Sequence, residues 1–545
     1  MPGPDIEYGD NPVVIGTPAT GYDRDERYYL QGTLGLDYQV PGVDGLTLRA
    51  NASYDQMFRY RKQWRTPWTL YTWDYKTLDA NGEPLLQPGS RGYSTPELDQ
   101  FDERNNGVLL NLVSEYRRDI GEHSVGLLGG MERQTTDYSN LNAFRKNYVS
   151  DQLDEMFAGG DADKNNGGSA GLSRRQNYFT RLNYDFADKY LVEFVGRYDG
   201  SYIFSEDRRF GFFPAVSAGW RVSEESFFRD RLPVVSDLKL RASWGRTGND
   251  RIDQWQYLST YGFGSGYVLG VDREVNSIYP TRAPNPAVTW EVANQLNFGV
   301  DAELLDQRLS FSLDYFNERR EDILWWRNAS VPQSTGLTLP RENIGKVDSW
   351  GYDGSVTWRQ PLGGDGSLDI TLNGGYTQNR IRFWDETPGA PDWQRSTGSR
   401  MGTGLYYRSI GVFADQAAVD AYPHWNGARP GDLIFEDVNG DGSITADDRV
   451  RIEQNDEPTL TGGLTLTGRL RGFDATVFFQ GASGAMQYLV TESGDGGNYL
   501  REYAENRWTP ENPSSTHPRA YSGSEYWRSN ANTYFLREAT VSGRR

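Results

Sequence analysis

Residues 437–448, DVNGDGSITADD, form the densest set of hard oxygen donors in the chain. Acids or amides at positions 1, 3 and 5, glycine at 6 and an acid at 12 make the D-x-[DN]-x-[DN]-G calcium-loop pattern. Calcium is a hard cation that takes about six to eight oxygens. Asp437, Asn439 and Asp441 would supply side-chain oxygens, Ser443 its backbone carbonyl, and Thr445 its hydroxyl or a bridging water. Asp448 would add one or two carboxylate oxygens. Gly442 permits the sharp turn, and Ile444 would anchor the loop to a core. Asp448 reaches less far than the usual glutamate. The flanks LIFE (433–436) and RVRI (449–452) read as strand, so residues 431–452 are expected to be a calcium-type loop without paired helices. The rival expectation is an acidic turn, with Arg449 and Arg451 folded inward to pair the acids.

A second chemistry is aromatic. Trp64, Trp68, Tyr71, Trp73 and Tyr75 crowd one loop, and Trp384 and Trp393 share another. Flat ring faces stack on sugars while nearby Asp, Asn and Arg bond hydroxyls. The alternatives are packing of the loop on itself, or an interface with a partner, where aromatics are also enriched. Catalysis has little to work with. There is no cysteine, and the three histidines, His123, His424 and His517, have no metal-ligand spacing. No H-E-x-x-H or phosphate-binding loop is present. Paired carboxylates among 75 acids are weak evidence for hydrolysis. A binding or transport role is expected, not an enzyme.

Composition narrows what positions these residues. Mean hydropathy is −0.71, and no run approaches the ~18 apolar residues of a membrane helix. A membrane barrel remains open, because only every second residue of its strands meets lipid. The net charge of −19 excludes nucleic acid as a partner, which would require a basic face. It suits cations or neutral ligands. No fixed-period repeat suggests a solenoid or propeller.

The dominant period is 2. In 46–55, Leu46, Leu48, Ala50, Ala52 and Tyr54 face one way, and Thr47, Arg49, Asn51, Ser53 and Asp55 the other. One apolar and one polar face fit lipid outside and water inside. Residues 28–40 alternate more loosely and join this segment through PGVDG, 41–45. Similar hairpins are expected at 108–135, 177–198, 291–319, 350–380 and 460–479. Long polar-aromatic loops are expected at 62–105, 138–174, 251–286, 382–404 and 484–532. About 16 strands with short turns alternating with long loops suggest an antiparallel transmembrane barrel. Aromatics near strand ends, Tyr28, Tyr29, Trp220, Trp244, Trp290, Trp325, Trp326, Trp350 and Trp358, are expected to form interfacial girdles.

An ordered series of segments resembles the SusC/RagA family of TonB-dependent transporters. It comprises RYDGSYIF (197–204), GFFPAVSAGWRVSEESFF (211–228), LKLRASWGRTGN (238–249) and the hairpin 285–324. ENIGKVDSWGYDGSV (342–356), PGDLIFEDVNGDGSITADDR (430–449), FDATVFFQGASG (473–484), NRWTPENP (506–513) and YFLREATVSG (534–543) follow. The resemblance implies an all-β outer-membrane barrel importing an oligosaccharide or a peptide. A SusD-like surface lipoprotein would cap it and TonB would drive it. Family members begin with a signal peptide, an N-terminal domain, a TonB-contacting segment and a plug, and end with further strands. MPGPDIEYGDNPVV has neither the basic nor the apolar region of a signal peptide, so residues 1–545 are expected to be an internal, incomplete barrel segment. The alternative from another class is a soluble, calcium-dependent, β-rich glycan-binding protein.

Overall fold

The computed structural model describes residues 12–270, 273–327, 339–490, 500–521 and 524–544. Fifteen strands form its main sheet: β1 Gly21–Gln39, β2 Leu46–Arg65, β3 Glu97–Ile120, β4 His123–Lys146, β5 Asn165–Phe186, β6 Tyr190–Ser201, β7 Phe210–Arg221 and β8 Val235–Asn249. The series continues with β9 Glu291–Leu304, β10 Leu309–Trp326, β11 Arg341–Gly363, β12 Gly366–Phe383, β13 Leu460–Leu470, β14 Phe473–Tyr488 and β15 Leu536–Arg544. Their order in the sheet is their order in the chain. Every pair with a described register is antiparallel. This is the all-β meander expected from the alternating sequence, with fifteen strands in place of about sixteen.

The chain divides into two compact units. The first comprises Met1–Arg117, Leu128–Thr180 and Asp199–Tyr202. The second comprises Arg118–Leu127, Arg181–Tyr198 and Ile203–Arg545.

The register in the first unit explains the alternation. Leu34 lies opposite Ala52, which lies opposite Leu110; Leu36, Ala50 and Leu112 form the next apolar rung. Leu34 is 76% exposed and Leu36 65%. Large side chains this exposed on successive rungs form a contiguous apolar surface of the kind that meets lipid. The opposite face carries the polar partners. The Thr33 and Ser53 hydroxyls lie 3.0 Å apart, and Arg49 donates to Glu115 at 2.7 Å while standing 3.5 Å from Asp37. A soluble sandwich would instead seal the leucines in a core, and that reading is set aside.

The strands outrun a bilayer. β3 and β4 have 24 residues each, whereas about 9–11 tilted residues cross the hydrocarbon. The excess lies toward the long loops, where β1 and β2 turn from leucines to ion pairs. Arg59 donates to both carboxylate oxygens of Asp25 at 2.8 Å, and Arg61 pairs with Asp23. Hence the expected loop 62–105 narrows to 66–96, and 138–174 narrows to 147–164. These segments lack the apolar face by which a strand is recognised, yet the ladder continues through them.

In the second unit, the β9–β10, β11–β12 and β13–β14 connections are the short turns 305–308, 364–365 and 471–472. Loops 250–290, 384–459 and 489–535 lie at the opposite strand ends, as antiparallel pairing requires. Loop 250–290 contains a hairpin that the sequence did not announce, Thr260–Leu269 with Arg273–Arg282. Two of the aromatics expected in girdles are placed otherwise. Trp290 is buried against Phe204 and Phe213 and donates to the Arg209 carbonyl at 3.1 Å. Trp325 packs on another tryptophan, described below.

Candidate functional site

Loop 384–459 and residues 500–521 and 524–535 build a folded body at the ends of β12–β15. Two small ladders frame it, Leu405–Tyr407 with Arg449–Arg451 and Ser409–Val412 with Leu433–Phe435. Its core is aromatic: Tyr407, Trp425, Phe435, Trp527 and Phe535 pack with Val412, Leu433 and Ile444. Tyr407 stacks on Phe435 at 4.7 Å and Trp425 on Tyr526 at 5.0 Å. Charge lies inside this core. Asp432 accepts from Trp527 Nε1 at 2.9 Å and pairs with Arg519 at 2.8 Å, and Arg519 reaches Glu525 at 2.9 Å. Burial raises the Asp432 pKa, against the pull of Arg519. Burial also pushes Glu525 up, but hydrogen bonds from Arg519 and Arg429 outweigh it and hold that group below its ordinary range.

The calcium-type loop grows from this body. Ile444 is buried in the core, the anchor expected of it. Asp437 accepts from Gly440 N at 2.8 Å and Gly442 N at 3.0 Å, and Asp441 from Ser443 N at 2.8 Å. Asn439 accepts from Asp441 N through its Oδ1 and donates to Asp441 Oδ2 at 2.9 Å. Asp448 is fully buried and accepts from Val438 N at 3.0 Å and Thr445 N at 2.7 Å. Thr445 caps the short turn Ala446–Asp448 that presents it. The arginines do not close the loop as the rival expectation required. Arg449 donates to the Ala446 carbonyl, and Arg451 to the carbonyls of Gln394, Arg395 and Thr403. Among the described residues, no group of three or more His, Cys, Asp or Glu side chains is drawn together as a metal cluster. The donors are nonetheless all oxygens, the chemistry a hard cation takes.

The loop aromatics have different fates. Trp64 is 4% exposed and packs edge-on against Tyr148 at 4.7 Å beside the buried Leu98. Its expected role as a ligand platform is corrected to that of a core residue, because it ends a strand that continues beneath the loop. Trp68 and Tyr71 lie in a hairpin, Trp68–Thr72 with Gln87–Arg91, and Tyr71 is exposed. Trp73 donates to the Thr77 carbonyl at 2.7 Å and lies 5.1 Å from Tyr75. Trp393 Nε1 donates to the Asp447 carbonyl at 2.9 Å, and Gln394 binds the carbonyls of Ala446, Asp447 and Arg449. These two residues strap the calcium-type loop.

Trp384 belongs to a cluster that sequence reasoning missed. Its ring lies 4.2 Å from Trp325, which lies 5.6 Å from Trp326. Trp326 stands directly opposite Arg341 across β10 and β11, and the guanidinium covers its ring at 4.3 Å. The one local signal was the pair Trp325–Trp326 at a strand end. Residues 167–171, GGSAG, have the spacing of a serine-nucleophile elbow. They lie inside β5, not at a strand-to-helix turn, and Ser169 meets Asn140 at 2.9 Å.

Comparisons agree with this architecture. The family model described as TonB dependent receptor-like, beta-barrel matches residues 3–439. TonB-dependent receptor P3 of Formosa agariphila is 29% identical over 440 residues, 77% of this chain and 43% of that protein. TonB-dependent receptor SusC of Bacteroides thetaiotaomicron is 27% identical over 381 residues, 67% of this chain and 36% of that one. The chain therefore matches well under half the length of these relatives. The RagAB peptide importer in its open-open state superposes with a TM-score of 0.76 at 20% identity, over 95% of this chain and 54% of that one, a likeness of fold. These relatives are receptors and transporters, not enzymes. Exposed leucine rungs, short turns opposite long folded loops and the family match together place the chain among the TonB-dependent receptor β-barrels of the outer membrane.

Proposed function

We propose that the protein imports an oligosaccharide across the outer membrane, with a peptide as the alternative cargo. In this reading a SusD-like surface lipoprotein caps the barrel, TonB drives it, and the leucine face meets outer-membrane lipid. The observation that carries the proposal is the body built by loops 384–459 and 489–535. A fold that only spanned a membrane would not need a core of five buried aromatics and a buried ion pair above its strands. Exposed Tyr71 and the tryptophans beside it, Trp68 and Trp73, offer further ligand contacts. The test is uptake of labelled oligosaccharides by cells carrying or lacking the gene. Loss of uptake with retained surface expression of the partner lipoprotein supports import. Unchanged uptake of every oligosaccharide and peptide tried overturns it.

We also propose that the loop from Asp437 to Asp448 holds a structural calcium ion through Asp437, Asn439, Asp441, Ser443, Thr445 and Asp448. Three facts support this: the twelve-residue pattern, the anchored Ile444, and arginines that turn away from the acids. Calcium would neutralise carboxylates carried on one short turn. Calorimetry on the intact protein should give heat on calcium titration and lose it in Asp441→Ala. No heat in the wild type removes the site.

A further inference from the structure

We infer that Trp326, Arg341 and the Trp325–Trp384 pair form a subsite for a carboxylated sugar, so that the cargo is an acidic oligosaccharide; this rests on the import reading above. Arg341 opens β11 and faces Trp326 across the ladder, with its guanidinium 4.3 Å from the indole centroid. The indole shields one face of the cation from water and leaves the edge of the fork to find an anion.

The nearest carboxylate does not satisfy that edge. Asp253 Oδ2 lies 4.0 Å from Arg341 Nη2, beyond hydrogen-bond distance, and its side chain is 67% exposed. Arg341 Nε is buried without a partner among the described residues. The support behind it is firmer. Gln256, 1% exposed, accepts from Arg341 N at 3.1 Å through Oε1, and Asn285 Nδ2 donates to the Arg341 carbonyl at 2.8 Å. The backbone of Arg341 is thus clamped while its charge is incompletely paired. The amide nitrogen of Gln256 and the Nε of Arg282, whose guanidinium donates to the Gln254 carbonyl at 3.4 Å, are buried donors without an acceptor among the described residues. Three orphaned N–H groups around one short segment are a local excess of donors. A buried donor left unpaired is unfavourable. An anion that reaches the exposed part of the Arg341 side chain, 26% accessible, supplies the partner that Asp253 does not.

The neighbouring rings select among anions. Trp325 and Trp384 lie 4.2 Å apart at a tilt of 45°, and Trp325 and Trp326 5.6 Å apart. A pyranose ring presents a flat C–H face that covers one indole, and a uronic acid carries its carboxylate beside that ring, where the Arg341 fork stands. Small anions such as phosphate would use the arginine alone and leave the indoles unused. An acidic peptide would place its carboxylate on a flexible stem without a flat face.

Calorimetry on the intact transporter with tetragalacturonate and with its neutral methyl ester tests this. The acid is expected to bind about tenfold or more tightly than the ester, the worth of one charge-assisted bidentate pair. Arg341→Gln should erase that preference, Trp326→Leu should weaken both ligands, and Arg341→Lys, which keeps the charge and the fold, should restore only part. Equal affinity for acid and ester, a preference that survives Arg341→Gln, or tighter binding of tetraglutamate than of tetragalacturonate would overturn the subsite. If neutral oligosaccharides are still imported in those cases, import stands and only the acidic specificity falls.

Discussion

Asp432 and Arg519 meet at 2.8 Å inside an aromatic core, with Asp432 almost fully buried, although 87 residues separate them in the chain. Their pairing staples loop 384–459 to loop 489–535. Removing one partner leaves the other charge buried, which costs about 3–5 kcal/mol. Arg519→Met should therefore render both loops sensitive to protease under conditions where the strands stay intact. Digestion followed by mass spectrometry would locate the cuts. Cuts spread equally over the turns would count against a stapled loop body.

The exposed leucine face makes a second prediction. Leu36→Arg places a charge on the lipid side and should cost about 2–4 kcal/mol if the position is near the bilayer midplane. Asn51→Lys, on the polar face of the adjacent strand, should be nearly neutral. Refolding of the intact protein into vesicles across a urea series measures both. Equal costs would mean that the two faces do not see different solvents.

Trp64 separates packing from binding. Trp64→Ala should destabilise the first unit by about 3–5 kcal/mol, as for a large aromatic removed from a core, yet leave ligand affinity unchanged. Trp384→Ala should do the reverse, with little change in stability and weaker saccharide binding. Thermal melts and calorimetry on the two variants read this directly. A drop in affinity for Trp64→Ala at constant stability would return that residue to the binding surface.

The sequence made the membrane-facing halves of the strands legible, because 46–55 alternates without a break and its partners follow in register. The upper halves were not legible. Asp23, Asp25, Arg59 and Arg61 pair across a ladder whose two faces are both polar there, so period 2 carries no hydrophobic signal. The calcium-type loop was readable as a motif, and the anchor Ile444 came with it. The fates of the aromatics were not readable, since each is decided by a distant partner: Trp64 by Tyr148 and Trp384 by Trp325. Composition placed rings in loops, but it could not say which of them would be consumed by packing.

A membrane barrel of this family holds its long loops outside the cell and its short turns in the periplasm. The chain contains no cysteine, so single cysteines can be introduced without background. Asn426→Cys and Glu511→Cys lie in the long loops, and Glu122→Cys and Asp365→Cys in exposed short turns. A membrane-impermeant maleimide applied to intact cells expressing the full-length protein should label the first pair at once. It should label the second pair only after the outer membrane is permeabilised. Labelling of all four positions on intact cells, or of Glu122→Cys and Asp365→Cys ahead of the loop positions, would contradict the account.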